Sequence, residues 1–280
     1  MVSLEETIFD EQFNHESPLF TKSLYYDKSF LSHTHPHEMK ILNTNARSLP
    51  KNFIQFEALL AELSTQNFSF EILTFTETWL DNHLETGINF DTYIPVMKHK
   101  SPVKEGGGLA IFVKTHIRFK LRNDLTFPID KQNQFDGIFI EIESHDKQIC
   151  PLVLAKIYHS PSYNSITDFS QSLSLIIERL NSENKDIVIV GDMNIDLIKS
   201  ETHRETSEFL DSMISNDLFP KITLPTRVTH TSATLIDHIY TNNKHHSTIA
   251  GTIKTDISDH FSNFILFKWT PTKTRPTFIT

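Results

Sequence analysis

A chain of 280 residues with 38% hydrophobic residues and 22 phenylalanines can bury a sizeable core, and its length is near the upper limit for one core. Its formal net charge of −9 argues against a strong non-specific nucleic-acid binder, since those are usually basic. The charge is uneven, because residues 1–38 hold seven acidic residues and two lysines, so −5 of it lies there.

One cysteine, Cys150, excludes an intrachain disulfide and fits a reducing compartment. The first residues lack the basic flank and apolar run of a secretion signal, and no apolar stretch is long enough to span a bilayer, so no membrane association is expected. Residues 1–37 show no sustained period and are expected to form a poorly ordered extension with room for one short helix. His33, His35 and His37 within it are a metal tract or a solvated linker; with no nearby cysteine and a proline inside, the linker is favoured.

Met39–Leu42 reads as a short strand leading into Asn43-Thr-Asn45-Ala-Arg47-Ser48, and Pro50 favours a helix start. Phe53, Phe56, Leu59, Leu60 and Leu63 make the apolar stripe of a helix over 51–66. Glu71–Phe75 is the next strand and ends in Thr76-Glu77-Thr78-Trp79. Strands are expected at 93–98 and 109–113, joined through Gly106-Gly107-Gly108. That triplet could cradle phosphate, but no Gly-Lys-Ser/Thr follows, and a hairpin turn is the expected reading. Strands at 135–142 and 149–158, the latter running into Lys156-Ile-Tyr158-His159, precede a helix over 166–180.

Four β-branched residues, Ile187–Val190, then form a buried strand, which Gly191 is expected to end in a tight turn. Asp192 and Asn194 follow at alternate positions and can project to one side. A helix over 204–216 and strands at 235–240, 248–254 and 261–269 complete the pattern. Alternating strand and helix segments indicate an α/β fold. There is no internal repeat and no clean boundary between about residue 38 and residue 270, so one domain over 38–270 is expected, with a tail over 271–280.

Polar residues gather where strands stop: Asn43, Asn45, Glu77, Tyr158, Asp192, Asn194, Asp237, Asp259 and His260. Spread over six strand ends, they suggest one shared crevice. The set offers hard oxygen ligands, amides, a phenol and a His beside an Asp, with no cysteine ligand and no Ser-centred nucleophile elbow. Sparse carboxylates with amides suit Mg²⁺ or Mn²⁺. The chemistry indicated is metal-assisted hydrolysis of a phosphate ester.

Asn43-x-Asn45, Phe75-Thr-Glu77-Thr-Trp79, Tyr158, Gly191-Asp192-Met-Asn194, Ile236-Asp237-His238 and Ser258-Asp259-His260, in that order, resemble the endonuclease/exonuclease/phosphatase superfamily. Asn-Ala-Arg-Ser-Leu, Glu-Thr-Trp-Leu, Pro-Thr-Arg-Val-Thr and Ala-Thr-Leu-Ile-Asp-His-Ile are most similar to the endonuclease domain of LINE-type non-LTR retrotransposons. The resemblance covers roughly residues 38–270. It implies a DNase I-like four-layer sandwich, two packed β-sheets with helices outside and the site at one end.

By matching motif, the resemblance also implies the residue roles. Glu77 is the principal metal ligand, with Asn45 and Asp259; Asp192 and Asn194 position or activate the attacking water; Asn43 and Tyr158 bind phosphate oxygens. Asp237 orients His260, which stabilises the transition state or moves a proton, and Ser258 supports that loop. Thr226 matches a phosphate-contacting Thr, and the loop 227–233, with Arg227, is expected to probe the DNA minor groove. Asn45 departs from the Asp of many superfamily members and lowers the site charge by one.

The implied function is a Mg²⁺- or Mn²⁺-dependent endonuclease that nicks DNA for retrotransposition, acting inside the cell in the nucleus, as a monomer. No reverse-transcriptase segment follows within the chain. It is expected to be a cut-out domain, a truncated element or a freestanding gene derived from one, with a reverse transcriptase as possible companion in a longer parent. The alternatives are a same-fold phosphatase or phosphodiesterase acting on lipid or nucleotide phosphates, and an inactive binding module.

Overall fold

In the computed structural model, residues 23–31, 38–81, 87–100, 106–132, 134–146, 149–163, 165–242 and 248–271 are described. Fifteen strands and four α-helices occur among them, with two additional 3₁₀ turns. In chain order they are β1 Leu24–Tyr26, α1 Lys28–Leu31, β2 Glu38–Asn45, α2 Leu49–Thr65, β3 Ile72–Thr76, β4 Tyr93–Lys98, β5 Leu109–Lys114, β6 Phe119–Leu121, β7 Phe135–Ile142 and β8 Leu152–His159. There follow α3 Ile166–Ser182, β9 Asp186–Asp192, α4 Arg204–Ser215, β10 Phe219–Pro220, β11 Arg227–Val228, β12 Ala233–Thr234, β13 Asp237–Thr241, β14 Thr248–Ile253 and β15 Ser262–Lys268.

Two large mixed sheets stack with helices outside. The first has strand order β1-β14-β15-β2-β3-β5-β4 and the second β10-β13-β9-β8-β7-β6, with β11-β12 as a separate ribbon. Period-2 alternation decides which residue goes where. Along β2 and β3, Ile41 and Ile72 join the core between the sheets. Their neighbours Leu42, Leu73 and Phe75 face outward, against Phe56, Leu59 and Leu63 of α2. Burial of a side chain such as Phe56 stabilises the layer by roughly 2–3 kcal/mol. On the far side, Phe169 and Leu173 of α3 and Phe209 and Met213 of α4 cover the second sheet. The four-layer sandwich follows. None of the described helices is long and apolar enough to cross a membrane.

The helix α2 starts where expected: Ser48 Oγ accepts from Lys51 N and Pro50 sits in the first turn. Three features differ from the sequence reading. Residues 23–31 are not part of a loose extension, because β1 pairs in parallel with β14 and Leu31 is fully buried. Ser23 and Tyr25 reach across to Thr223 and to the Pro225 carbonyl. A strand of three residues carries too little periodicity to stand out. The His33–His37 tract and the tail beyond Pro271 lie outside the described residues.

Gly191 does not end its strand. It lies within β9, where a Cβ would sit 1.8 Å from the Ile157 carbonyl oxygen of β8, so glycine is required by close backbone approach. The segment 227–233 is a hairpin, with Arg227 paired to Thr234.

The functional end is where parallel neighbours stop together. β2 runs parallel to β3 and brings Asn45 level with Thr76. β8 runs parallel to β9 with Tyr158 level with Asp192, and β13 sets Asp237 opposite Asp192. The inward-facing polar ends of both sheets therefore meet.

Candidate active site

Each sheet supplies half of a polar seam. From β2, Asn45 Nδ2 donates across the sheets to Asp192 Oδ2 at 2.7 Å, while its Oδ1 accepts from Arg47 N at 3.0 Å. Beyond β3, the backbone of Ala46, Ser48 and Leu49 continues the pairing onto Thr76, Glu77 and Thr78. This seats Glu77 against the other sheet. Its Oε1 accepts the Tyr158 phenol, and its Oε2 accepts the Trp79 indole and, at 2.8 Å, the backbone N–H of Gly107.

Arg47, Ser48, Glu77, Trp79 and Asn194 all have positive φ. Such backbone costs on the order of 1 kcal/mol or more per non-glycine residue and marks functional sites. Gly107, at φ 100, adopts the left-handed region without penalty.

The second sheet brings the charged groups. Asp192, Asp237 and His260 are almost fully buried, and one ligand atom from each lies within 4.8 Å of the others, a spacing that could hold a metal ion. His260 Nδ1 pairs with Asp237 Oδ2 at 2.8 Å, and Thr226 Oγ1 donates to the same oxygen at 2.7 Å. Burial disfavours the His260 imidazolium, but Asp237 outweighs it and raises its pKa to about 9.

Burial likewise opposes the Asp237 charge, yet His260 and Thr226 hold its pKa below the ordinary carboxylate value. Asp192 is pushed upward by burial and by the Asp237 charge, so it can exchange a proton near neutrality. Burial and Glu77 together raise the Tyr158 phenol, which stays protonated and a donor. Because Asp237 favours the His260 imidazolium and occupies its Nδ1, the trio can carry charge and exchange protons. The oxygens of Glu77, Asn45 and Asp192 are the hard donors that line the cleft, and they fit a divalent cation.

The cleft is open, about 560 Å³, and lined among others by Asn45, Glu77, Tyr158, Asp192, Asn194, Arg227 and His260. These are the expected residues that the fold brings together at one surface. Asn194 Nδ2 donates to the His159 carbonyl at 2.7 Å. The other expected residues are placed behind the surface. Thr226 is fully buried and holds Asp237 rather than a phosphate. Asn43 is buried beneath the cleft. Ser258 Oγ donates to the Asn45 carbonyl at 2.8 Å and accepts from His260 N, which ties the His260 loop to β2.

Asp259 does not line the cleft. Its Oδ2 accepts from Arg47 Nη1 at 2.7 Å and from Arg227 Nε and Nη2 at 2.9 and 2.8 Å. Burial opposes its ionisation, but His260, Arg227 and Arg47 keep its pKa low. Both guanidinium groups sit on Oδ2, and Oδ1 is buried with no hydrogen-bond partner among the described residues.

Four contributors went unread in the sequence. Gly106 and Gly107 belong to the site and not merely to a hairpin connection: Gly106 lines the cleft, and a Cβ there would lie 2.7 Å from Glu77 Oε2. Arg47 was visible only as a letter of a motif. Lys156 is fully buried, with Nζ donating to Asn43 Oδ1. Burial lowers its pKa to about 7 against the pull of Asp237 and Asp192. A lysine inside the apolar run Leu152–Ile157, two residues before Tyr158 and hence on its face, is the signal that could have found it.

Residues 41–260 match the Endonuclease/Exonuclease/phosphatase family. No curated protein matches. Among solved structures, the chain is similar to the APE2 catalytic domain of Xenopus laevis, with 15% identity, a TM-score of 0.64 and coverage of 85% of this chain and 94% of that one. It is similar to the endonuclease domain of TRAS1, a telomere-specific non-LTR retrotransposon, with 13% identity, a TM-score of 0.58 and coverage of 82% and 98%. It is also similar to the AP endonuclease LMAP of Leishmania major, with 14% identity, a TM-score of 0.65 and coverage of 96% and 99%. At these identities the structural likeness concerns the fold. With the family match extending from β2 to His260, across both halves of the seam, the chain belongs to the Endonuclease/Exonuclease/phosphatase family.

Proposed function

We propose that this chain is a Mg²⁺-dependent phosphodiester hydrolase that nicks DNA, as an endonuclease of the non-LTR retrotransposon type. The observation that carries the reading is the convergence of Glu77, Tyr158, Asp192, Asn194 and His260 on one open cleft whose rim bears Arg47 and Arg227. An open, cation-rimmed cleft admits a phosphate within a polymer, and guanidinium groups suit phosphate oxygens. Similarity to the TRAS1 endonuclease domain supports DNA as substrate. The reading places the protein as a monomer in the nucleus, with a reverse transcriptase as companion in a longer parent.

Glu77 and Asn45, beside Asp192, would hold a divalent cation, which would supply positive charge to the phosphoryl oxygens. The remaining work falls to the chain. Asp192, whose proton affinity is raised, takes the proton of a water that attacks phosphorus; one ester P–O bond breaks, and the leaving oxygen takes a proton from water in the open cleft. Asn194, with its nitrogen committed to His159, has its oxygen left to orient the attacking water. His260 keeps its imidazolium through neutral pH because Asp237 faces it, and its Nε2–H meets charge growing on the phosphoryl group. Thr226, behind Asp237, fixes the carboxylate.

The test offers supercoiled plasmid and a small phosphomonoester side by side, with Mg²⁺ and with chelator added. Chelator-sensitive nicking with little monoester turnover is expected. Preferential monoester hydrolysis would move the chain to the phosphatase branch, and no hydrolysis of either would leave a binding module.

A further inference from the structure

Lys156 is a charged residue at a position where the pattern of β8 calls for an apolar one, and no part of it reaches solvent. An ammonium buried in this way is costly unless it has a task and partners. Its Nζ meets Asn43 Oδ1 on β2, and Thr74 Oγ1 lies 3.4 Å from the same oxygen.

The ammonium, which can only donate, decides how the amide is turned, since the Thr74 hydroxyl gives its one proton to the Leu42 carbonyl at 2.9 Å. The end it meets must be the carbonyl, so Asn43 presents Nδ2 on its other side. Asn43 Nδ2 is itself buried and has no hydrogen-bond partner among the described residues. A buried donor left unpaired costs about 1–3 kcal/mol, and a buried water is the ordinary acceptor for such a group. The charges agree with this placement. Asp192 and Asp237 are the acidic groups that act on Lys156 against its burial, and His260 is the other basic group, so the buried seam sets two acidic side chains against two basic ones.

We propose that Lys156 is a positioning residue: its side chain fixes the Asn43 amide beneath the cleft and sets a basic group under Asp192 and Asp237, holding the geometry and charge of the phosphate-binding surface above it. The inference rests on the phosphodiesterase reading above. It adds a residue that acts through Asn43 and not on substrate directly.

The experiment is a double-mutant cycle of Lys156→Met with Asn43→Ala on the full chain, with thermal unfolding recorded for each variant. Two readouts are taken: kcat and KM for plasmid nicking with Mg²⁺, and affinity for inorganic phosphate by calorimetry. Lys156→Met is expected to lower kcat by about tenfold to a hundredfold, the scale of disturbed active-site electrostatics, with KM changed far less. It should also weaken phosphate binding, and both effects should shrink several-fold in the Asn43→Ala background. Lys156→Gln, which keeps a donor but no charge, should recover part of the loss.

Equal losses in both backgrounds, or wild-type kcat and phosphate affinity in folded Lys156→Met, would overturn the proposal. If Lys156→Met does not fold, Lys156→Gln carries the cycle with the same criteria. If the wild-type protein hydrolyses no phosphodiester, the functional reading fails. The phosphate-binding cycle still decides the role of Lys156: coupling supports it and additivity refutes it.

Discussion

Replacing Asp237 with Asn removes one negative charge at nearly constant volume and isolates the electrostatics of the site. Asp237 Oδ2 lies 2.8 Å from His260 Nδ1 and 2.7 Å from Thr226 Oγ1, and all three residues are at most 3% exposed, so solvent screens the pair weakly. Asp237 raises His260 from 6.5 to about 9. At about 1.4 kcal/mol per tenfold in proton affinity, this is worth at most about 3 kcal/mol.

The sign follows from linkage. The contribution to stability is fully present below pH 6.5 and is lost as pH rises through about 9. In Asp237→Asn the largest attraction is gone while burial and the weaker pull of Asp192 and Asp259 remain, so His260 should titrate well below its wild-type value. The assay is a histidine-ring NMR titration, with His260→Ala identifying the signal, alongside denaturant unfolding from pH 6 to 9.5. Wild-type stability should fall across that window and Asp237→Asn should lack that component. Its nicking rate at pH 7.5 should drop by roughly a hundredfold. A His260 that still titrates near 9 in Asp237→Asn, or an unchanged slope of stability with pH, would refute the pairing as the source of the charge.

Glu77→Ala should fold and lose at least about a hundredfold in rate, with stability changed by no more than about 1–2 kcal/mol, because water in the open cleft can serve the Trp79 and Gly107 donors; paired nicking and melting curves check both. Gly191→Ala should destabilise by about 3 kcal/mol or more, since a Cβ 1.8 Å from the Ile157 carbonyl oxygen must part β8 from β9; a near-wild-type melting temperature would show that the strands yield. Replacing residues 228–233 by a Gly/Ser loop, with Arg227 retained on Asp259, should redistribute nick sites on a long duplex while nicking persists. An unchanged map would show that the hairpin tip does not read DNA.

The layered architecture was legible because its signals are local. The β-branched run at 187–190, the apolar stripes of α2, α3 and α4, and polar residues at strand mouths each report on a few neighbouring positions. Lost to the sequence was the depth of each polar group. Asn43 and Asn45 lie on the same face of β2, yet Asn45 reaches the cleft and Asn43 lies beneath it, a difference set by how far the second sheet extends over the first.

Thr226 carried the right motif and the wrong contact. Its hydroxyl turns inward to Asp237, a matter of hairpin geometry that no spacing encodes. The Lys156–Asn43 contact joins residues 113 apart in sequence, across two sheets that share no hydrogen-bonded register. Asp259 looked like an open carboxylate, and only folding brings Arg47 and Arg227 to it. The glycine triplet reads as a turn in the sequence, and the bond of the Gly107 N–H to Glu77 is a contact that no local spacing shows.

The claim that this cleft hydrolyses phosphodiesters is tested most directly by Asp192→Asn. The substitution keeps an oxygen to accept from Asn194 N, at 3.1 Å in the wild type, and removes the group that takes the proton of water. With supercoiled plasmid, Mg²⁺ and equal folded protein, nicking should fall at least about a hundredfold, while duplex binding, measured by fluorescence anisotropy, should be retained. Wild-type nicking by folded Asp192→Asn would contradict the account, because the proton-accepting carboxylate would then lie elsewhere.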